Sequence, residues 1–240
     1  MKMNGAFGYD REMPSPAHET LLVLLREHPA WLGTLMSVLA GRKLPDGLTP
    51  IDATVRLVDP AEVRPDLAFV VPAKSRAQPE SWVLLESQLD KDEKKRLSWP
   101  LAVTAVWNER GPGDLVIITA SKAVAAWARK TCRLKGPFGT KLTLTPIVLA
   151  LTDEVVEKLL DPGHPELGFF AAWAMQARHG VKARRIVERA VELVDQVPEP
   201  ELRTRLVRSI MDVLNEKMIE GLKELVMNQG NEFPRNPALR

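Results

Sequence analysis

A single cysteine, Cys132, stands among the 240 residues. An internal disulfide and a cysteine-based zinc cluster are thereby excluded. Long apolar runs are missing too. No stretch of about 18 apolar residues occurs, so no membrane-spanning helix is expected. The opening MKMNGAFGYDREMPSP holds no run long enough for a signal peptide, and the cytoplasm is the expected compartment. Charge of one sign is not in excess: 33 Lys+Arg face 31 Asp+Glu, a formal net charge of +2. A nucleic-acid binder is not announced by global charge, and any basic surface must be local. The four histidines, His18, His28, His164 and His179, form no HExxH or closely paired metal spacing.

What is present is an ordinary globular composition, 45% apolar and 27% charged. The length suits one domain of roughly 150–200 residues with an appendage. Residues 1–14 read as a flexible lead-in. Ser15-Pro16 reads as a helix entry, and Pro29 divides the following apolar pattern into two helices. Strands are expected at 53–58, 66–71 and 82–89, with a polar loop at 72–80. A helix follows at 91–109, with Pro100 kinking or interrupting it. A buried strand at 115–119, a helix at 121–130 capped by Ser121, and a strand at 142–150 come next. Pro146 points to a sheet edge for that last strand. From 152 the pattern is helical, with helices at 165–179, 181–197 and 201–227, and a flexible tail at 229–240. The expected fold is an α/β core over 15–151, followed by a helical appendage over 152–228.

The chemistry concentrates on two strands. Asp66 opens the second strand, and Glu86 and Gln88 leave one face of the third. The connecting loop centres near residue 76, so a hairpin register sets Asp66 directly across from Glu86, with Cβ atoms about 5 Å apart. Two carboxylates so placed repel unless a cation lies between them. Oxygen ligands with room for water favour Mg²⁺ or Mn²⁺ over zinc. Glu86 also interrupts the apolar run WVLLESQL, where a buried charge is costly unless paired or metal-bound.

The order helix–strand–strand–strand–helix–strand, with Pro65-Asp66 and then Glu86-Ser87-Gln88, resembles the PD-(D/E)XK nuclease superfamily. With Gln88 at the usual Lys position and DKDEKKRLSWP following, it is similar to the recombination-promoting nuclease (transposase-like) branch. The resemblance implies a restriction-endonuclease-like αβββαβ core with a mixed sheet, and metal-dependent hydrolysis of DNA phosphodiesters. It implies that Asp66 and Glu86 hold Mg²⁺, that the Ser87 carbonyl adds an oxygen ligand, and that Gln88 orients water. Gln88 carries no charge and cannot act as a base. Lys91, Lys94 or Lys95 of the next helix are the candidates to supply the missing charge. Glu19 on the first helix is a further candidate for the site.

The local basic stretch is RKTCRLKGPFGTK, with Arg129, Lys130, Arg133, Lys135 and Lys141 and no acid. Together with Lys91, Lys94 and Lys95 it is the expected phosphate-contacting set. Trp99 and Trp107 read as core, and Cys132 as a packing residue. The apolar stripe at 202–225 serves either an intramolecular bundle or a homodimer interface. Two function classes stay open: a Mg²⁺-dependent DNA endonuclease, and a catalytically weak or inactive nuclease-fold module that binds DNA or protein. RNA is a third substrate that the same chemistry permits.

Overall fold

A computed structural model describes residues 15–41, 43–52, 54–56, 62–73, 75, 79–135 and 141–228. The expected lead-in at 1–14 and tail at 229–240 lie outside the described residues, as do 53, 57 and 58 of the first expected strand.

Helix α1 (Pro16–Glu27) starts where expected: Ser15 Oγ accepts the His18 N–H at 3.2 Å, and Pro16 sits in the first turn. Helix α2 (Ala30–Ala40) ends at Gly41 in the left-handed conformation. Strands β1 (Thr49–Ile51), β2 (Val55–Arg56), β3 (Glu62–Val63), β4 (Leu67–Val71) and β5 (Ser81–Ser87) follow, then α3 (Lys95–Arg110), β6 (Gly113–Thr119) and α4 (Lys122–Thr131). Strands β7 (Arg133–Lys135), β8 (Lys141–Thr143) and β9 (Ile147–Ala150) complete the α/β part. Beyond it lie α5 (Asp153–Leu159), a 3-10 turn (Pro165–Leu167), α6 (Gly168–Trp173), α7 (Val181–Val194), α8 (Pro200–Val213) and α9 (Glu216–Asn228).

The main sheet has five strands in the order β1-β4-β5-β6-β9. β4 runs antiparallel to both β1 and β5, whereas β6 lies parallel to β5 and β9 parallel to β6. The sheet is therefore mixed, as expected. Two strand expectations are corrected. β1 was not foreseen, and it lies at the sheet edge beside β4. The described part of the 53–58 run, β2, pairs instead with β3 in a separate ribbon. The 142–150 strand splits at Pro146, which has no N–H for a ladder: β8 turns back on β7, and β9 takes the sheet edge.

Side chains alternate across the sheet with the period of two. Leu67, Phe69, Val71, Val83, Leu85, Val116 and Ile118 face α1, α2 and the C-terminal helices in one core. Ala68, Trp82, Leu84, Leu115 and Ile117 face α3 and α4 in the other. The layers are thus helices, sheet, helices. The first core is continuous from Leu21 on α1 to Leu222 on α9, so the helical part is fused to the sheet rather than tethered to it. Trp173 Nε1 donates to the Ala17 carbonyl at 3.1 Å across this junction.

α3 runs unbroken through Pro100, its sixth residue, whose ring offers no N–H to the Arg96 carbonyl. The expected long helix at 201–227 is broken at Leu214, which has extended backbone. Asn215 then restarts the chain as α9 by accepting the Met218 N–H at 3.0 Å, and its amide donates to the Gln176 carbonyl. Leu206, Ile210, Val213, Met218 and Leu222 of the stripe are buried within the chain, which is the bundle alternative. Trp99 is core as expected, but Trp107 is 52% exposed and meets the Trp82 ring in a T-shaped contact.

Candidate carboxylate–lysine site

The β4–β5 register pairs Leu67 with Leu85 at the end of the ladder. One position further out, Asp66 stands opposite Glu86. The ladder stops there because the Asp66 side chain takes over as acceptor: the Ser87 N–H donates to Asp66 Oδ2 at 2.7 Å. On its other side Ser87 pairs with Ile118 of β6, and the Gln88 N–H donates to the Ile118 carbonyl. The strand end carrying both carboxylates is thus held from two directions.

Glu86 shares its face of β5 with Trp82 and Leu84, beneath α3, and is only 3% exposed. The first residue of α3 meets it there: Lys95 Nζ lies 2.6 Å from Glu86 Oε2. Burial, helped by the Asp66 charge, pushes the Glu86 carboxyl up to about 7, against the opposing pull of Lys95. Lys95 in turn is held above its usual value, because attraction to Glu86, Asp66 and Asp92 outweighs its own burial. One turn along α3, the Trp99 indole N–H favours the ionised form of Glu86 but closes no hydrogen bond, and it is buried without another partner. The Ser87 hydroxyl is likewise buried and unpartnered.

His18 reaches the site from α1. Its Nε2 lies 3.6 Å from Asp66 Oδ1. Burial lowers its pKa, but Asp66, with smaller contributions from Glu19 and Glu86, turns the net shift upward. Sequence reasoning gave this residue no role and chose its neighbour Glu19. Glu19 is exposed, and it touches the site through its charge on His18. The available signal was the cap: Ser15 bonds the His18 N–H and so fixes where that side chain leaves the first turn.

The other sequence candidates fall into separate places. Gln88 is buried, and its amide donates to the Asp90 carbonyl at 2.6 Å, bracing the chain turn that leads to α3. Lys91 and Lys94 are exposed beside that turn. Of the three lysines, Lys95 is the one joined to a carboxylate. Arg129 lines a cleft of about 330 Å³ at the β9 edge, with Lys122 and Val148. Lys130 is exposed on α4. Arg133 and Lys135 lie on the β7–β8 ribbon with Lys141. Cys132 is buried, and burial pushes its thiol up to about 11, which makes it a packing residue rather than a nucleophile.

Asp66 also opens onto a surface cleft of about 280 Å³, lined by Arg26, Asp52, Thr54, Arg64 and Pro65. Solvent therefore has access to one side of the pair. Among the described residues, no group of three His, Cys, Asp or Glu side chains is arranged to hold a metal. Zinc and calcium, which need fuller protein ligation, do not fit this donor set. Two carboxylates and the Ser87 carbonyl do fit Mg²⁺ or Mn²⁺, which keep several waters and take substrate phosphate oxygens. Among the described residues, no helix is long and apolar enough to cross a membrane. Comparison with family models, curated proteins and solved structures found no match to this chain.

Proposed function

We propose that this chain is a metal-dependent phosphodiesterase, and more particularly a Mg²⁺- or Mn²⁺-dependent DNA endonuclease acting in the cytoplasm. The observation that carries the reading is the buried Glu86 carboxylate, set across from Asp66 and joined to Lys95 at 2.6 Å. Its support from the fold is the succession α1, antiparallel β1, β4 and β5, then α3 and parallel β6, which agrees with an αβββαβ nuclease core.

Asp66 and Glu86, with the Ser87 carbonyl, would hold the cation. When bound it lowers the pKa of its water and neutralises charge on the phosphate. Lys95 supplies the positive charge that Gln88 lacks, reaching the same carboxylate from the helix instead of the strand. His18 and the Ser87 N–H fix the two oxygens of Asp66. Gln88 acts by holding the turn before α3 through Asp90.

One observation favours the second reading, a non-catalytic nuclease-fold module. Lys95 already neutralises Glu86, and Asp66 already has two partners. The deciding experiment is cleavage of supercoiled plasmid with Mg²⁺ or Mn²⁺ by wild type, Asp66→Ala and Glu86→Ala, with EDTA as control. Nicking by wild type alone, lost in EDTA, is expected. Wild-type rates in either variant would refute the site, and absence of millimolar Mg²⁺ or Mn²⁺ binding would favour the module.

A further inference from the structure

In the β7–β8 ribbon Lys135 stands directly opposite Lys141, and Arg133 opposite Thr143, while Leu134 pairs with Leu142 on the other face. Arg133, Lys135 and Lys141 are all exposed. Among the described residues, the ion pairs lie elsewhere and no carboxylate joins any of these three. Like charges directly opposite on an antiparallel pair are destabilising, and a two-stranded ribbon is marginal to begin with. Three cations gathered on one face of such a ribbon break a local rule, and a polyanion lying across that face compensates for it.

The base of the ribbon is anchored at the site. Cys132, immediately before β7, donates from Sγ to the Lys95 carbonyl at 3.8 Å, and the Leu144 N–H after β8 donates to the Cys132 carbonyl at 3.0 Å. Both strands therefore spring from beside the lysine that contacts Glu86. Arg133 and Lys135 are two residues apart, about 7 Å along the strand, so the cations form a row along the ribbon starting from that base. A two-stranded ribbon is also an element that the major groove of duplex DNA admits.

We propose that the β7–β8 ribbon is the arm that lays the phosphodiester backbone of duplex DNA against the Asp66–Glu86 site. This rests on the nuclease reading for its substrate, but its test does not need cleavage. The experiment is binding of a fluorescein-labelled 20-base-pair duplex to the full chain in EDTA, by anisotropy across a salt series. Wild type is compared with Lys141→Glu, Lys141→Ser and, as a control on α9, Lys217→Glu. Removing one cation from the phosphate backbone weakens binding about eight-fold at 0.1 M salt and flattens the log–log salt slope by about 1. Lys141→Glu is expected to weaken binding by at least that factor while melting at the same temperature as wild type or higher, because Glu opposite Lys135 turns a repulsive pair into an attractive one. Lys141→Ser is expected to weaken binding with a melt no lower than wild type, because it removes the same repulsion, and Lys217→Glu to bind within two-fold of wild type. Unchanged affinity and slope in both Lys141 variants overturn the proposal. So does a wild type that does not bind the duplex, or that binds poly-glutamate as tightly. Ribbon-dependent binding without any metal-dependent cleavage would retire the nuclease reading alone. Cleavage with ribbon-independent binding would retire the ribbon alone.

Discussion

Replacing Glu86 with glutamine keeps the side chain's size but removes the one group whose ionisation the fold resists most visibly. The folded carboxyl titrates at about 7 against an ordinary value of 4.5, chiefly because it is buried. A carboxyl raised in the folded state contributes stability that is fully present below the unfolded value and is lost as pH rises through the folded one. Each pH unit in that window costs about 1.4 kcal/mol. Glu86 therefore removes about 3 kcal/mol of wild-type stability between pH 4.5 and 7.5, and Glu86→Gln removes none. His18 changes stability in the same direction above pH 6.5, and Glu86 is one of the charges that raise it, so the difference between the two curves is assigned to Glu86 below pH 6.5. Lys95 loses the strongest of the attractions that hold it above its usual value, so the variant's absolute stability is displaced as well. The assay is urea unfolding of both proteins at half-unit steps from pH 4.5 to 8.5. At pH 8, Mg²⁺ at a hundred times its dissociation constant should return about 2.7 kcal/mol to wild type and nothing to the variant. Parallel pH curves would refute the assignment of Glu86 as a buried carboxylate under strain. A metal response retained in Glu86→Gln would refute its role as a ligand.

Gln88→Lys, which restores the usual nuclease residue, should lower the melting temperature without raising cleavage. It sets a second ammonium at a buried strand end and gives up the bond to Asp90; plasmid nicking and a thermal melt check both parts. Gly113→Ala should cost about 2–3 kcal/mol in a urea titration, because a Cβ there would sit 2.2 Å from the Trp82 ring and 2.4 Å from the Trp82 carbonyl. His28 stacks on Trp31 at 4.3 Å with its Nε2 buried and unpartnered, and burial lowers its pKa. Its stabilising contribution is present above pH 6.5 and lost as pH falls through the lowered value, so His28→Phe should flatten the stability profile below pH 6.5, measured by urea melts.

The strand that bears Glu86 and the register that sets it across from Asp66 were legible in the chain alone. A run such as WVLLESQL permits one face assignment, and a hairpin with a known centre permits one pairing. Helix starts were legible for the same local reason, since Ser15 and Ser121 each cap the turn they begin. The break at Leu214–Asn215 was missed because the apolar stripe runs on through it, and the amide that fixes it bonds to Gln176, 39 residues away. β1 was missed because Thr-Pro-Ile carries no strand pattern of its own and is a strand only by pairing with β4.

The sequence by itself determined the carboxylate pair, the face of the strand that carries it and the basic stretch. Each of these follows from periods and turns spanning a few residues. Only the tertiary structure decided which lysine of the three reaches Glu86, that His18 and not Glu19 meets Asp66, and that the basic stretch divides between the β9 edge and a ribbon rooted at Lys95. Those choices depend on how α1, α3 and α4 dock against the sheet. Docking is set by the summed packing of two cores drawn from distant parts of the chain, a quantity that no local window contains.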